Sequence, residues 1–531
     1  MQEFLCNGNF NKIPKGPTHL TFDIRFNDYV TELPNTITHL TFGYCYDKPI
    51  KNLPNSITHL NLGTRFNKSI KKLPTAITHL TLSDNYNQPI DKLPNSIIYL
   101  DCGNTFNKPI NKLPNSIKYL ILGAGFNQPI DNLPNSIIRL TLGSFFNQPI
   151  NNLPNSITHL ELSYHFNQPI DNLPNSITHL NLSYHFDQLI DNLPNSITHL
   201  TLGHNFNKPV DKLPNSITHL TFGDYFNQSV DKLPNSIIHL AFGSRFDHKL
   251  DNLPNSITHL FIGFNYNQPI DNLPNSIIHL HLGFHFNQPI DHLPNSITHI
   301  YFDMHFNQPV DNLPNSVTHL YFGSQFNQLV DKLPNSVKYI KFDWSHNQPI
   351  DHLPNSVTHI YFGWNFNQQV DHLPNSVTYL SFEARYNKPV NNLPNSITCL
   401  KFGQDFNQSI DNLPNSITHL SVGYNFNQPI DKIINFIKIF QTMNHNIYDK
   451  NKEKLNGKYI LYFKNERYYY QFNNFSIDSK SYYDVMGVFN LQYFVRNIFF
   501  EKITEIVFNP QRLLRISTKY NLSIDEYMEF L

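Results

Sequence analysis

Residues 213–232 read LPNSITHLTFGDYFNQSVDK, and residue 233 begins LPNSII again. The apolar positions are Leu213, Ile217, Leu220, Phe222, Phe226 and Val230. Their intervals of 4, 3, 2, 4 and 4 sustain neither a helix period nor a long alternating strand. Only the end of Ile217-Thr218-His219-Leu220-Thr221-Phe222 alternates, placing Leu220 and Phe222 on one face and His219 and Thr221 on the other. That spacing predicts one short strand per twenty residues. Pro214, and a second proline that often follows Asn-Gln, forbid a helix interior or a central strand along the return path.

Outward from this unit, prolines recur every 20 residues from Pro14 to Pro414, and a second series runs in another phase from Pro49 to Pro429. Six inward side chains cannot make a dry core alone, so each coil must stack on the next and the chain reads as a solenoid. The spacing of Ile217, Leu220 and Phe222 after Leu213-Pro214 resembles that of leucine-rich repeats. Phe126-Asn127-Gln128-Pro129-Ile130, together with LPNSITHL, is similar to the FNIP repeat family, a leucine-rich-repeat variant of social amoebae and of large DNA viruses of amoebae. One departure is that Asn227 sits five residues after Phe222, where the leucine-rich repeat places its asparagine three after. The resemblance implies a leucine-rich-repeat-like, right-handed parallel β solenoid of about 21 coils over residues 1–432.

Differences among the coils separate scaffold from surface. The Phe226 phase is aromatic in every unit from Phe26 to Phe426 except at His346, which predicts a stacked aromatic spine. Asn beside it, replaced by Asp at 47, 187 and 247, predicts a buried amide ladder serving the backbone of the adjacent coil. Variation concentrates in the Thr221 phase, which marks the exposed strand face as the place for a partner. Its most aromatic stretch holds Phe261, His281, Tyr301, Tyr321, Lys341 and Tyr361, with Trp344 and Trp364 close in phase. These eight are the expected binding residues, because exposed aromatics anchor interfaces.

Two polar rows invite chemistry. The His219 phase is His in 15 of 21 coils, unbroken from His159 to His319. An exposed row of rings would stay neutral through mutual repulsion, and it supports two alternatives, a metal-binding or a pH-responsive surface. A straight row offers too few ligands at once for structural zinc. The aspartates from Asp171 to Asp371 precede each LP pair, where Asp caps its own turn. Calcium bridging has no glycine-rich loop to support it. No GxSxG, HExxH, Walker or dinucleotide motif occurs, so neither enzyme nor cofactor is expected.

Composition narrows the class. Net charge of -1 leaves no field for nucleic acid or an anionic membrane. Cys6, Cys45, Cys102 and Cys399 lack metal or disulfide spacing, and no run of about 18 apolar residues occurs, so a cytoplasmic protein is expected. In-phase residues begin at Cys6-Asn7 and Phe10, with no separate cap before them. Many members of the resembled family carry an N-terminal F-box that recruits a ubiquitin-ligase core, and this sequence shows no such stretch.

The repeat dissolves at Lys432-Ile433-Ile434, and residues 433–531 read as a small α+β domain that caps the solenoid or docks a partner. It would hold a hairpin (Lys458–Phe463 with Tyr468–Phe472) and helices over 484–507, 509–520 and from Ser523. The chain is therefore expected to be a protein-interaction scaffold or substrate receptor with a protein partner. A third reading is a structural rod that self-associates through its N-terminal coil.

Overall fold

The computed structural model describes residues 3–6, 16–30, 32–442, 444–451, 459–464, 467–472 and 475–478. Contacts divide the chain into two compact units, Met1–Gly363 and Trp364–Leu531, a division that falls inside the repeats. The chain is a parallel β solenoid of the leucine-rich-repeat kind, with about 21 turns.

In the first unit, β1 (Glu3–Cys6) and β2 (His19–Phe22) are followed by one strand of three or four residues every twenty, from β3 (His39–Thr41) to β19 (His359–Phe362). Neighbours pair in parallel and in the repeat register, as in His199↔His219, Leu200↔Leu220 and Thr201↔Thr221. Tight turns close the coil that contains Phe226. The Ile217 amide donates to the Pro214 carbonyl at 3.3 Å, Phe226 to Gly223 at 3.2 Å, and Leu233 to Val230 at 3.3 Å. Proline fits because it sits where its carbonyl accepts and no N–H is required.

The core follows the inward spacing. Ile217, Leu220, Phe222, Phe226 and Val230 are all at most 3% exposed. The spine aromatics stack on one another, with Phe206 and Phe226 centroids 6.2 Å apart. His346 is buried in the same column, 3.8 Å from the Phe342 ring and 5.8 Å from Phe326.

Side chains complete the hydrogen bonding that the short strands leave open. Ser216 Oγ donates to the Ile197 carbonyl at 2.6 Å, and the Asn227 amide donates to Asn207 Oδ1 at 2.9 Å. Asp187 keeps the same acceptor for the Asn207 amide at 3.0 Å, which explains why Asp replaces Asn without loss of register. The ladder serves the backbone as expected, but its amides are exposed or half-buried. The aspartate row departs from self-capping. Its carboxylates reach the following coil instead, Asp251 accepting from Asn272 Nδ2 at 3.1 Å and Asp311 pairing with Lys332 at 2.9 Å. A corner side chain directed outward reaches the residue one coil further on, and Asp231 accepts both from Asn252 of the next coil and from Ser229 of its own turn.

The first coil also corrects the proline-based phase. Cys6 pairs with Phe22, and Glu3 with His19, a step of sixteen, so this coil is four residues short. Cys6 therefore holds the place of Phe22 and not that of the aromatic spine; the inward alternation sets register, and the even proline spacing conceals the deletion.

In the second unit, β20 (Tyr379–Phe382), β21 (Cys399–Lys401), β22 (His419–Val422) and β23 (Ile439–Thr442) continue the parallel ladder. The coil survives the loss of Leu-Pro at 433–434 because Ile433, Ile437 and Phe440 still point inward, each at most 2% exposed. Helix α1 (His445–Asn451) follows. Asn444 caps it, its Oδ1 accepting from the Asn446 amide at 3.0 Å while its Nδ2 donates to the Phe426 carbonyl at 2.9 Å. β24 (Tyr459–Lys464) pairs in parallel with β23, again twenty residues on. It forms the expected hairpin with β25 (Arg467–Phe472), and β26 (Phe475–Asp478) adds an antiparallel strand that the sequence reading lacked. The helices expected beyond residue 483 lie outside the described residues.

Candidate functional site

Each strand from β2 to β19 turns two residues outward, and these build two parallel columns. The first is the histidine row. From His159 to His319 the rings stack face to face with centroids 4.1–4.5 Å apart. Thr218 Oγ1 lies 2.9 Å from His219 Nδ1, and the same threonine reaches the Thr198 carbonyl at 3.2 Å, so a ring preceded by threonine is oriented by its own coil, whereas His239 and His279 follow isoleucine. The row is half-buried, not the exposed row expected from the alternation. Burial first, and neighbouring imidazoles second, lower His59, His179 and His219 to about 4; His299 falls to about 3 for the same reasons. Repulsion between rings is thus the smaller cause. Among the described residues, no three or more His, Cys, Asp or Glu side chains are grouped to hold a metal ion.

The second column carries the variable positions. Phe261 is exposed and stacks on His281 at 4.2 Å; His281 stacks on Tyr301 at 3.9 Å and Tyr301 on Tyr321 at 4.2 Å. Lys341 is exposed and interrupts the stack. Tyr339, from the histidine row, leans across the gap with centroids 5.0 Å from Tyr321 and 5.2 Å from Tyr361. Burial and the Tyr361 hydroxyl push the Tyr339 phenol up. Trp344 is 49% exposed and stands three residues past Lys341, on the rim beyond the strand. Trp364 is exposed and opens the second unit. The structure therefore brings Phe261, His281, Tyr301 and Tyr321 into one continuous column and joins Tyr361 to it through Tyr339.

Sequence reasoning missed Tyr339, whose only signal was being an aromatic break in the histidine phase. It also missed Phe264 and Phe284, stacked at 4.3 Å on the rim. Mixed residues before the spine were the trace of that pair.

Serine, aspartate and histidine meet at Asp224. Asp224 accepts from Ser244 Oγ at 2.6 Å and lies 2.6 Å from His204 Nδ1. The carboxylate sits between the other two, so the imidazole has no contact through which to deprotonate the serine, as nucleophilic catalysis would need. The Ser244 hydrogen bond is the main reason the Asp224 carboxyl lies below its usual range.

A family model described as FNIP Repeat matches repeatedly between residues 26 and 437, for example over 206–232, 226–265 and 286–325. CroV588, a giant-virus protein whose crystal structure is described as a circular leucine-rich-repeat protein, is 38% identical, with 84% of this chain and 85% of that chain covered and a TM-score of 0.65. YopM from Yersinia enterocolitica is 17% identical over 81% of this chain and 91% of its own, with a TM-score of 0.39. No curated protein matches the chain.

Proposed function

Because the chain belongs to the FNIP repeat family, with strands and turns that are common scaffold, we propose that it is a non-enzymatic protein-binding scaffold or substrate receptor. Its binding surface is the variable strand face of the first unit around residues 261–361. Solenoids of the leucine-rich-repeat kind are commonly used for protein–protein interaction. The observation that carries the placement is the aromatic column from Phe261 to Tyr321, set on a backbone in which the neighbouring positions hardly vary. Stacked rings are already ordered before binding, so little side-chain entropy remains to be lost when a partner covers them. Lys341 and Trp344 complete the face.

Proximity labelling of the full chain identifies partners. Replacing Tyr301, Tyr321 and Tyr361 by Ala is expected to weaken the principal partner by more than about tenfold, since anchoring aromatics each contribute roughly 2 kcal/mol. Unchanged affinity would remove the face from this role.

The alternative of a pH-responsive surface is less well supported. Rings held at about 4 stay neutral across the range in which an ordinary histidine switches.

A further inference from the structure

Beside the aromatic column runs a groove of about 340 Å³, lined among others by Phe261, His281 and Tyr301 on one side and by Phe264 and Phe284 on the other. That volume is at the lower end of small-molecule pockets. Gly243, Gly263 and Gly283 also line it. A Cβ built on Gly263 would overlap the Gly243 carbonyl oxygen, and one on Gly283 the Gly263 carbonyl oxygen, so glycine lets the coils seat closely here.

We infer that this groove binds an extended basic peptide, which slots one aromatic side chain between the two walls and places Arg or Lys at either end. The inference deepens the protein-binding reading above and rests on it.

Three observations carry it. The rings of each wall lie face to face along the stack, at 3.9–4.2 Å in the column and 4.3 Å in the Phe264–Phe284 pair, so they turn their edges toward the groove. Ring edges are electropositive and prefer the face of another ring, which selects an aromatic guest. The charged residues lining the groove are Asp303 and Asp224, the latter already in contact with Ser244 Oγ and His204 Nδ1, with no lysine or arginine among them. His281 adds no positive charge near neutral pH, because burial lowers it to about 4. Asp224 and Asp303 lie four coils apart, about 19 Å at the strand spacing, which about six extended residues span.

The test measures fluorescence anisotropy of labelled peptides with the full chain. The probe is Arg-Ser-Ser-Tyr-Ser-Ser-Arg, and the controls carry Glu or Gln in place of both arginines. Variants are Asp224→Asn with Asp303→Asn, which preserve shape, and Phe264→Ala, at an exposed position; melting curves verify that each is folded. The arginine peptide should bind saturably and more tightly than both controls, weaken at least tenfold with the paired Asn changes and with Phe264→Ala, and weaken with added salt. Equal or better binding by the Glu or Gln peptide, lost in Phe264→Ala, overturns the charge assignment and leaves the face a protein-binding surface. Absence of any Phe264-dependent binding overturns the groove altogether, and the protein-binding reading then stands or falls on the three-tyrosine variant alone.

Discussion

His346 shows how one position reports on its column. It occupies a place that is Phe or Tyr in the other coils, and burial holds its pKa at about 3. An unfolded histidine titrates near 6.5. The folded pKa is therefore depressed, and acid favours the unfolded chain from pH 6.5 down to about 3. His346→Phe should stabilise the protein by about 2 kcal/mol more at pH 5 than at pH 7.5, read from urea unfolding at both values. An equal gain at both would mean that the ring is hydrated. The asparagine ladder makes a complementary claim. Asn207→Ala removes the acceptor for the Asn227 amide and should cost about 1 kcal/mol, whereas Asn207→Asp should be nearly neutral, as Asp187 already is one coil earlier.

At the scale of the element, a strand of three residues has too few bonds to stand alone, and the turns and side-chain ladders hold it in place. The inward set was legible in the sequence because Ile217, Leu220, Phe222 and Phe226 have spacings that only this coil satisfies. What stayed illegible concerns neighbours in space. Phase tells that Asp251 faces outward but not that Asn272 reaches it. It tells that Tyr339 breaks the histidine row but not that it leans toward Tyr321 and Tyr361. The short first coil was hidden for a related reason, since Pro14 and Cys6 both stand twenty residues before Pro34 and Phe26, while the strands pair Cys6 with Phe22. In the second unit, Asn444 joins α1 to the last spine position. Asn444→Ala should cost about 1 kcal/mol and speed amide exchange in α1 and not in β21. Unchanged exchange in α1 would show that the cap contributes little.

For the whole molecule, nearest-neighbour stacking predicts that coils are interchangeable as units. Deleting residues 213–232, one full coil, should leave a cooperatively folded chain with a lower urea midpoint, while deleting residues 213–222 should abolish folding. A chain that loses structure equally in both cases would contradict a stack of independent coils. The histidine row gives the molecule a second collective property. With His59, His179 and His219 at about 4 in the folded chain against about 6.5 unfolded, their contribution to stability is intact above pH 6.5 and declines as pH falls toward 4. These features belong to the scaffold, and the proposed recognition surface is the variable column alone. The most direct test compares two variants of the full chain against a partner captured by proximity labelling. One replaces Tyr301 and Tyr321 by Thr, the residue at Thr201 and Thr221. The other replaces His299 and His319 by Tyr, the residue at Tyr339. Binding lost in the first and kept in the second is the predicted result; binding kept in the first and lost in the second would place recognition on the histidine row and contradict the account.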